Sequence, residues 1–222
     1  MTEVAGVDGA PGGWVVARVR PGAVRWDVVP DAAAVLDVTA GCAAVGVDIP
    51  LGVHATAGRR ECDDATARRL GKARSSVFPA PPREVLTAPD HPTACERARA
   101  LTGKAISLQT FHITPRILDW DAVADRPAHV VEVHPELSLR TLAPDVTFTS
   151  KKTARGAGQR IAALARWVDP TLALADLPTG ARLDDILDAL AAAWSAQRWA
   201  RGEADVLGPE HDDRGRPMFV AV

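Results

Sequence analysis

The chain has 222 residues, 47% of them hydrophobic, and its 26 basic and 28 acidic side chains give a net charge of −2. This balance is typical of a globular protein and excludes a disordered chain, a collagen, a coiled coil and a strongly basic nucleic-acid binder. No apolar run reaches the ~20 residues of a membrane span, and the first residues lack a secretory signal pattern. The three cysteines form no CxxC pair, so we expect a reduced, cytoplasmic protein with no membrane partner.

The first fifty residues predict an antiparallel meander, a helix and a buried strand. Asp31 is placed to N-cap a helix over 32–39, and an apolar run over 43–49 predicts the strand that follows. The meander is predicted from three short runs, rich in β-branched residues and separated by glycine and proline turns, at 4–7, 14–19 and 24–29.

A long irregular and helical insertion is predicted over 53–127, where prolines cluster between weakly helical stretches at 63–70 and 92–101. The elements expected after it are a strand at 129–133, helices at 137–142, 156–168 and 183–201, and a strand at 218–222. This order predicts a single α/β domain over 1–222 with a mixed sheet.

Two of the predicted strands end in the same tripeptide, Gly-Val-Asp, which places Asp8 and Asp48 at strand ends. Side chains alternate along a strand, so these aspartates share a face with Gly6 and Gly46, which we expect to leave room for a metal, a water or a phosphate. If the two strands are adjacent and parallel, the aspartates lie one strand spacing apart, ~4.8 Å.

Further acidic residues follow on the predicted strand at 129–133 and on the last helix. Glu132 and His134 share one face of that strand, whereas Asp188 shares a helix face with Asp185 or with Asp184. An aspartate at a helix start is more often a cap than a ligand. Asp188 lies within an apolar stretch, which makes it harder to explain as a cap.

Several carboxylates that converge at one place destabilise the folded protein unless a cation binds them or their pKa values are raised. Two carboxylates ~5 Å apart repel by roughly 3 kcal/mol at an effective dielectric of 20. Oxygen ligands of this kind suit Mg²⁺ or Mn²⁺. Two such ions ~4 Å apart form the clamp used in phosphodiester hydrolysis.

Seven short motifs cover nearly the whole chain: GVDGA at 6–10, GGW at 12–14, VDIPLG at 47–52, SVFPAP at 76–81, EVHPE at 132–136, SKKT at 150–153 and LDAL at 187–190. In these motifs the chain resembles the ribonuclease-H-like superfamily and, more narrowly, domain-of-unknown-function family 429, a family of predicted nucleases. The resemblance implies a mixed five-stranded sheet, an antiparallel meander followed by parallel strands, flanked by helices.

The resemblance also implies metal-binding carboxylates on the first strand, on a central parallel strand and near the last helix. Asp8, Asp48, Glu132 and Asp188 fall at such places, with Asp185 as the alternative on the helix. The leading hypothesis is therefore a metal-dependent nuclease or phosphodiesterase that uses two Mg²⁺ or Mn²⁺ ions. In it these residues are catalytic, and His134 is expected beside the attacking water or the leaving group.

The predicted substrate is a nucleic acid, RNA or DNA, or a nucleotide. Lys151, Lys152 and Arg74 are candidate phosphate contacts, although exposed cations are more often a solvated face. Residues 51–127 carry 12 basic and 9 acidic side chains, a local net of +3. This charge fits a polyanion-binding segment and an ordinary charged helix with internal ion pairs equally well.

Two other functions are compatible with the same sequence. Residues 8–13 resemble the first phosphate hairpin of actin-like proteins and sugar kinases, which predicts nucleotide binding without nuclease activity. The third possibility is an inactive scaffold of the same fold that binds a partner through the insertion.

Overall fold

The computed structural model describes residues 2–56, 58–123 and 125–222. The chain divides into two compact units, the first formed by Met1–Ile49, Asp125–Asp205 and Ala221–Val222, the second by Pro50–Ala124 and Val206–Val220. The predicted insertion over 53–127 includes positions 57 and 124, which lie outside the described residues. A single domain over 1–222 that carries this insertion stays a prediction.

The strands of the described residues form one five-stranded and one two-stranded sheet. They are β1 (Val4–Ala10), β2 (Gly13–Arg20), β3 (Ala23–Val29), β4 (Val45–Val47), β5 (Val130–Glu132), β6 (Val206–His211) and β7 (Pro217–Ala221). The larger sheet has the order β3-β2-β1-β4-β5 and lies in the first unit. Its β1–β2 and β2–β3 pairs are antiparallel and its β1–β4 and β4–β5 pairs parallel. The predicted fold class, an α/β mixed sheet flanked by helices, is confirmed.

The helices are α1 (Ala32–Thr39), α2 (Glu61–Leu70), α3 (Arg83–Leu86), α4 (His91–Thr102), α5 (Leu108–Asp121), α6 (Pro135–Leu142), α7 (Ala154–Leu164), α8 (Pro170–Ala173) and α9 (Leu183–Ala200). A 3₁₀ turn follows α2 at Gly71–Ser76. Within the described residues, none of these helices has the length and apolar character that a transmembrane helix needs.

Helix α9 packs directly on the sheet because both surfaces lack bulky side chains. A Cβ atom added to Gly6 would lie 2.0 Å from the Ala189 carbonyl oxygen, and one added to Gly46 would lie 2.5 Å from that of Ala192. The expectation that these glycines leave room for a ligand is therefore wrong. The helix backbone fills that space, and this close approach sets how α9 faces β1 and β4.

The sequence predicted α1 with its cap and missed α5. Asp31 accepts a hydrogen bond from the Ala34 amide at 2.8 Å, as expected of an N-cap. Helix α5 lies in the segment predicted to be largely irregular, and it contains an internal proline, Pro115. Two of its four buried positions are threonines, Thr110 and Thr114, so its apolar periodicity is weak.

Strand β6 was also missed, and α7 ends at Leu164, four residues before its predicted end at 168. The β6–β7 hairpin forms the smaller sheet, and β6 packs against α2. Gly208 permits this contact, since its φ is +54° and an added Cβ would lie 2.4 Å from the Cys62 nitrogen.

Candidate functional site

Adjacent parallel strands bring the first two aspartates together. Val7 of β1 is in register with Val47 of β4, and the Asp48 amide donates a hydrogen bond to the Val7 carbonyl at 2.9 Å. Asp8, within β1, and Asp48, directly after β4, are each one residue further along, so they lie side by side on the face that α9 covers.

Helix α9 supplies the third carboxylate. Asp188 directly precedes Ala189, whose carbonyl oxygen lies against Gly6, and only 5% of the residue's surface is exposed. One carboxylate oxygen from each of Asp8, Asp48 and Asp188 lies within 4.8 Å of the other two. We call these three residues the carboxylate cluster.

A single lysine faces the carboxylate cluster. The Lys151 ammonium group donates a hydrogen bond to Asp188 Oδ2, and its positive charge also acts on Asp8 and Asp48. Lys151 lies in the loop between α6 and α7, and it is 37 residues from Asp188 in the sequence. Three carboxylates with one ammonium leave the cluster short of positive charge.

Burial and mutual repulsion raise the pKa values of the cluster. Burial raises the pKa of Asp48 from 3.8 to about 8, with Asp188 adding to the effect and Lys151 opposing it. Burial also raises the pKa of Asp8, and Asp48 and Asp188 raise it further. The pKa of Asp188 is raised by burial too, although Lys151 and Arg160 oppose this. The metal-free cluster therefore holds protons that ordinary aspartates release.

The donor set fits a hard divalent cation. Mg²⁺ and Ca²⁺ bind oxygen ligands at about 2.0–2.6 Å, so opposite ligands on one ion lie about 4–5 Å apart. Oxygen atoms within 4.8 Å of one another meet that condition. Carboxylates with raised pKa values are also groups that a cation would stabilise in their charged form.

The buried side chain of Glu132 lies in register with Val47 rather than with Asp48. By strand alternation it faces the side of the sheet opposite to Asp8 and Asp48. It is not part of the carboxylate cluster, although its negative charge adds to the raised pKa of Asp48. His134 is the N-cap of α6, where its Nδ1 faces the Leu137 amide at 3.4 Å. Roles for Glu132 as a metal ligand and for His134 in catalysis stay predictions.

The remaining candidate residues are not members of the carboxylate cluster. Asp185 accepts a hydrogen bond from the Arg182 amide at 3.1 Å and so caps the start of α9. Lys152 is exposed on the same loop as Lys151. Arg74 is exposed in the 3₁₀ turn of the second unit. Their predicted roles, Asp185 as a catalytic residue and Lys152 and Arg74 as phosphate contacts, stay predictions.

Sequence reasoning missed the buried arginine that anchors the Lys151 loop. Arg160 of α7 donates to Glu136 Oε2 at 2.7 Å and to the Thr149 carbonyl at 2.9 Å. It is 3% exposed and lies beside apolar residues of α7. A charged residue on the apolar face of a predicted helix is the signal that could have identified it.

Comparison with known proteins gives a family and no function. A family model described as "Protein of unknown function (DUF429)" matches residues 6–213. No curated protein and no solved structure matches the chain.

Proposed function

The chain belongs to the DUF429 family, and we propose that it is a metal-dependent phosphodiester hydrolase of the nuclease type with a ribonuclease-H-like fold. One observation carries the proposal: β1, β4 and α9 bring three aspartates within 4.8 Å of one another, with a single lysine among them. If these carboxylates had only a structural role, their burial and mutual repulsion would destabilise the fold without a compensating gain.

Asp8, Asp48 and Asp188 would hold Mg²⁺ or Mn²⁺, since their oxygen atoms offer the ligands these ions prefer. When bound, such an ion offsets the charge of a phosphodiester and makes water a stronger nucleophile. The three aspartates orient the ion, and the main-chain contact between α9 and the sheet keeps them in place.

The charge of the site supports a phosphate-containing substrate only once a cation is bound. A bare group of three carboxylates repels a phosphodiester, so cation binding must come before substrate binding. Lys152, exposed on the loop that carries Lys151, is placed to meet an anion that approaches this loop. The class of substrate is therefore a phosphodiester whose binding depends on the metal.

Titration of Mn²⁺ into the wild type and the double variant Asp8→Asn/Asp48→Asn tests the proposal, together with cleavage of single-stranded, duplex, hybrid and branched nucleic acids. We expect the wild type to bind Mn²⁺ and to cleave at least one substrate. The double variant should lose both properties, while Asp37→Asn, a control on the exposed face of α1, should keep them.

Other outcomes of the same experiment favour the alternatives. A wild type that binds no Mn²⁺ contradicts the proposal. ATP binding without cleavage favours the nucleotide-binding hypothesis. Unchanged binding and activity in the double variant leaves the inactive scaffold, because the carboxylate cluster would then have no function beyond the fold.

A further inference from the structure

Lys151 occupies the position where a cation is expected. Its ammonium group donates to Asp188 and interacts electrostatically with Asp8 and Asp48. These are the same three carboxylates that would hold a metal ion. A lysine ammonium and a divalent cation therefore compete for the same oxygen atoms.

The backbone around Lys151 is fixed, whereas its side chain is not enclosed. Gln159 Oε1 accepts from the Thr149 amide at 2.9 Å, and Thr153 Oγ1 caps α7 by accepting from the Gly156 amide at 3.0 Å. These contacts hold the loop on both sides of Lys151. The side chain itself is 40% exposed, so a change of rotamer moves the ammonium group into solvent without unfolding the loop.

Lys151 and Asp188, which form an ion pair, differ in how freely their side chains can move. The Asp188 side chain is 8% exposed and lies on α9, whose backbone is held against β1 and β4. Lys151 has four side-chain torsions and a solvent-facing path. When a stronger cation arrives, the lysine leaves and the aspartate stays.

We propose that Lys151 is a tethered counter-cation that a divalent metal ion displaces from the carboxylate cluster. The inference rests on the proposed metal site and adds a control on its occupancy. The cluster stays partly neutralised when the metal is absent, and a cation enters only if it binds the three aspartates more strongly than the ammonium group does. The displaced ammonium is then free to meet an anionic substrate beside the metal.

The matched pair Lys151→Gln and Lys152→Gln tests the proposal, because both remove one positive charge from the same loop. At pH 8 we expect Lys151→Gln to bind Mn²⁺ at least roughly tenfold more tightly than the wild type, measured by calorimetry, since the competing charge is gone. Lys152→Gln should change the affinity less than about threefold, because its charge is exposed and screened. Lys151→Arg, which keeps a positive charge, should stay close to the wild type.

An unchanged or weaker Mn²⁺ affinity in folded Lys151→Gln would overturn the displacement, even if the wild type binds Mn²⁺ and the proposed function stands. Failure of both the wild type and Lys151→Gln to bind Mn²⁺ would instead remove the metal site itself. Binding by the variant alone would support displacement in its strongest form, since Lys151 would then block the site completely.

A second measurement needs no variant at Lys151 and so does not depend on whether that variant folds. Amine modification followed by mass spectrometry compares Lys151 with Lys152 in the wild type. In EDTA we expect Lys151 to be protected relative to Lys152, and in saturating Mn²⁺ we expect the ratio of modified Lys151 to modified Lys152 to rise severalfold. In Asp8→Asn/Asp48→Asn the ratio should not respond to Mn²⁺. A constant ratio in the wild type would overturn the proposal.

Discussion

Each unit of the molecule contains a group of mostly buried charges, and the two groups are balanced in opposite ways. In the second unit Asp121 accepts from Arg83 Nε at 2.9 Å and also pairs with Arg216. Asp212 accepts from Arg216 at 2.8 Å. We call these four residues the arginine–aspartate network. In the first unit the three aspartates of the carboxylate cluster share one lysine.

The pKa values follow this difference in charge balance. Burial opposes ionisation in both groups. In the network, hydrogen bonds from the Arg83 and Arg216 side chains nevertheless lower the pKa of Asp121. Hydrogen bonds from the Arg216 amide and side chain lower that of Asp212. In the carboxylate cluster one lysine does not offset burial and mutual repulsion, so the pKa of Asp48 rises to about 8. A balanced group stabilises a fold, whereas an unbalanced one is typical of a functional site.

The largest expected effect comes from Asp121→Asn, which breaks the balanced group. Asp121 is 8% exposed and contacts Arg83, Arg216 and Arg214, so its loss leaves buried positive charge without enough partners. We expect the free energy of unfolding, measured by urea denaturation, to fall by about 3 kcal/mol. Asp37→Asn, the exposed control, should change it by less than about 0.5 kcal/mol. An equally small loss in Asp121→Asn would mean that the network does not stabilise the fold.

The second prediction concerns pH. The folded-state pKa of Asp48 is about 8 against 3.8 for an ordinary aspartate, so between these values the folded protein holds a proton that the unfolded chain releases. Stability from this group is therefore fully present below about pH 4 and is lost as the pH rises through 8. In EDTA we expect the free energy of unfolding to fall by on the order of 2 kcal/mol between pH 5 and pH 8.

Asp48→Asn should flatten this pH dependence, and Asp37→Asn should retain it. The lowered pKa values of Asp121 and Asp212 act in the opposite sense, since their contribution is lost only as the pH falls below about 4. A wild type whose stability rises from pH 5 to pH 8 would contradict the charge imbalance assigned to the cluster.

The smallest expected effect concerns two aspartates of α9, Asp185 as a helix cap and Asp188 as a proposed metal ligand. Asp185→Ala removes the hydrogen bond to the Arg182 amide, so we expect a loss of about 0.5–1 kcal/mol in the free energy of unfolding with unchanged Mn²⁺ affinity. Asp188→Asn, one turn further along α9, should weaken Mn²⁺ binding at least tenfold. Equal effects of the two substitutions on Mn²⁺ affinity would show that Asp185 is also a ligand.

Local patterns in the sequence predict the mixed sheet and the strand-end aspartates. The turn-separated β-branched runs predict β1 to β3, and the repeated Gly-Val-Asp predicts Asp8 and Asp48 at the same edge, because both signals depend on neighbours along the chain. Helix α5 was missed because threonines occupy two of its four buried positions, which weakens the apolar periodicity by which a sequence predicts a helix.

Pairing between distant residues decides what local sequence patterns leave open. The side of the sheet that Glu132 faces depends on the β4–β5 register, which its own strand does not encode. The contact between Lys151 and Asp188 joins a loop to a helix 37 residues away. Gly6 and Gly46 were expected to leave room for a ligand because they have no side chains. The sequence does not show that the backbone of α9 fills this space.

The contact of α9 with Gly6 and Gly46 has a consequence for substitutions at positions that carry no ligand atoms. Main-chain atoms meet there, since an added Cβ would lie 2.0 Å from the Ala189 carbonyl oxygen at Gly6 and 2.5 Å from that of Ala192 at Gly46. A methyl group at either position would therefore push the helix that carries Asp188 away from the sheet that carries Asp8. The spacing of the carboxylate cluster thus depends on two residues that have no side chain.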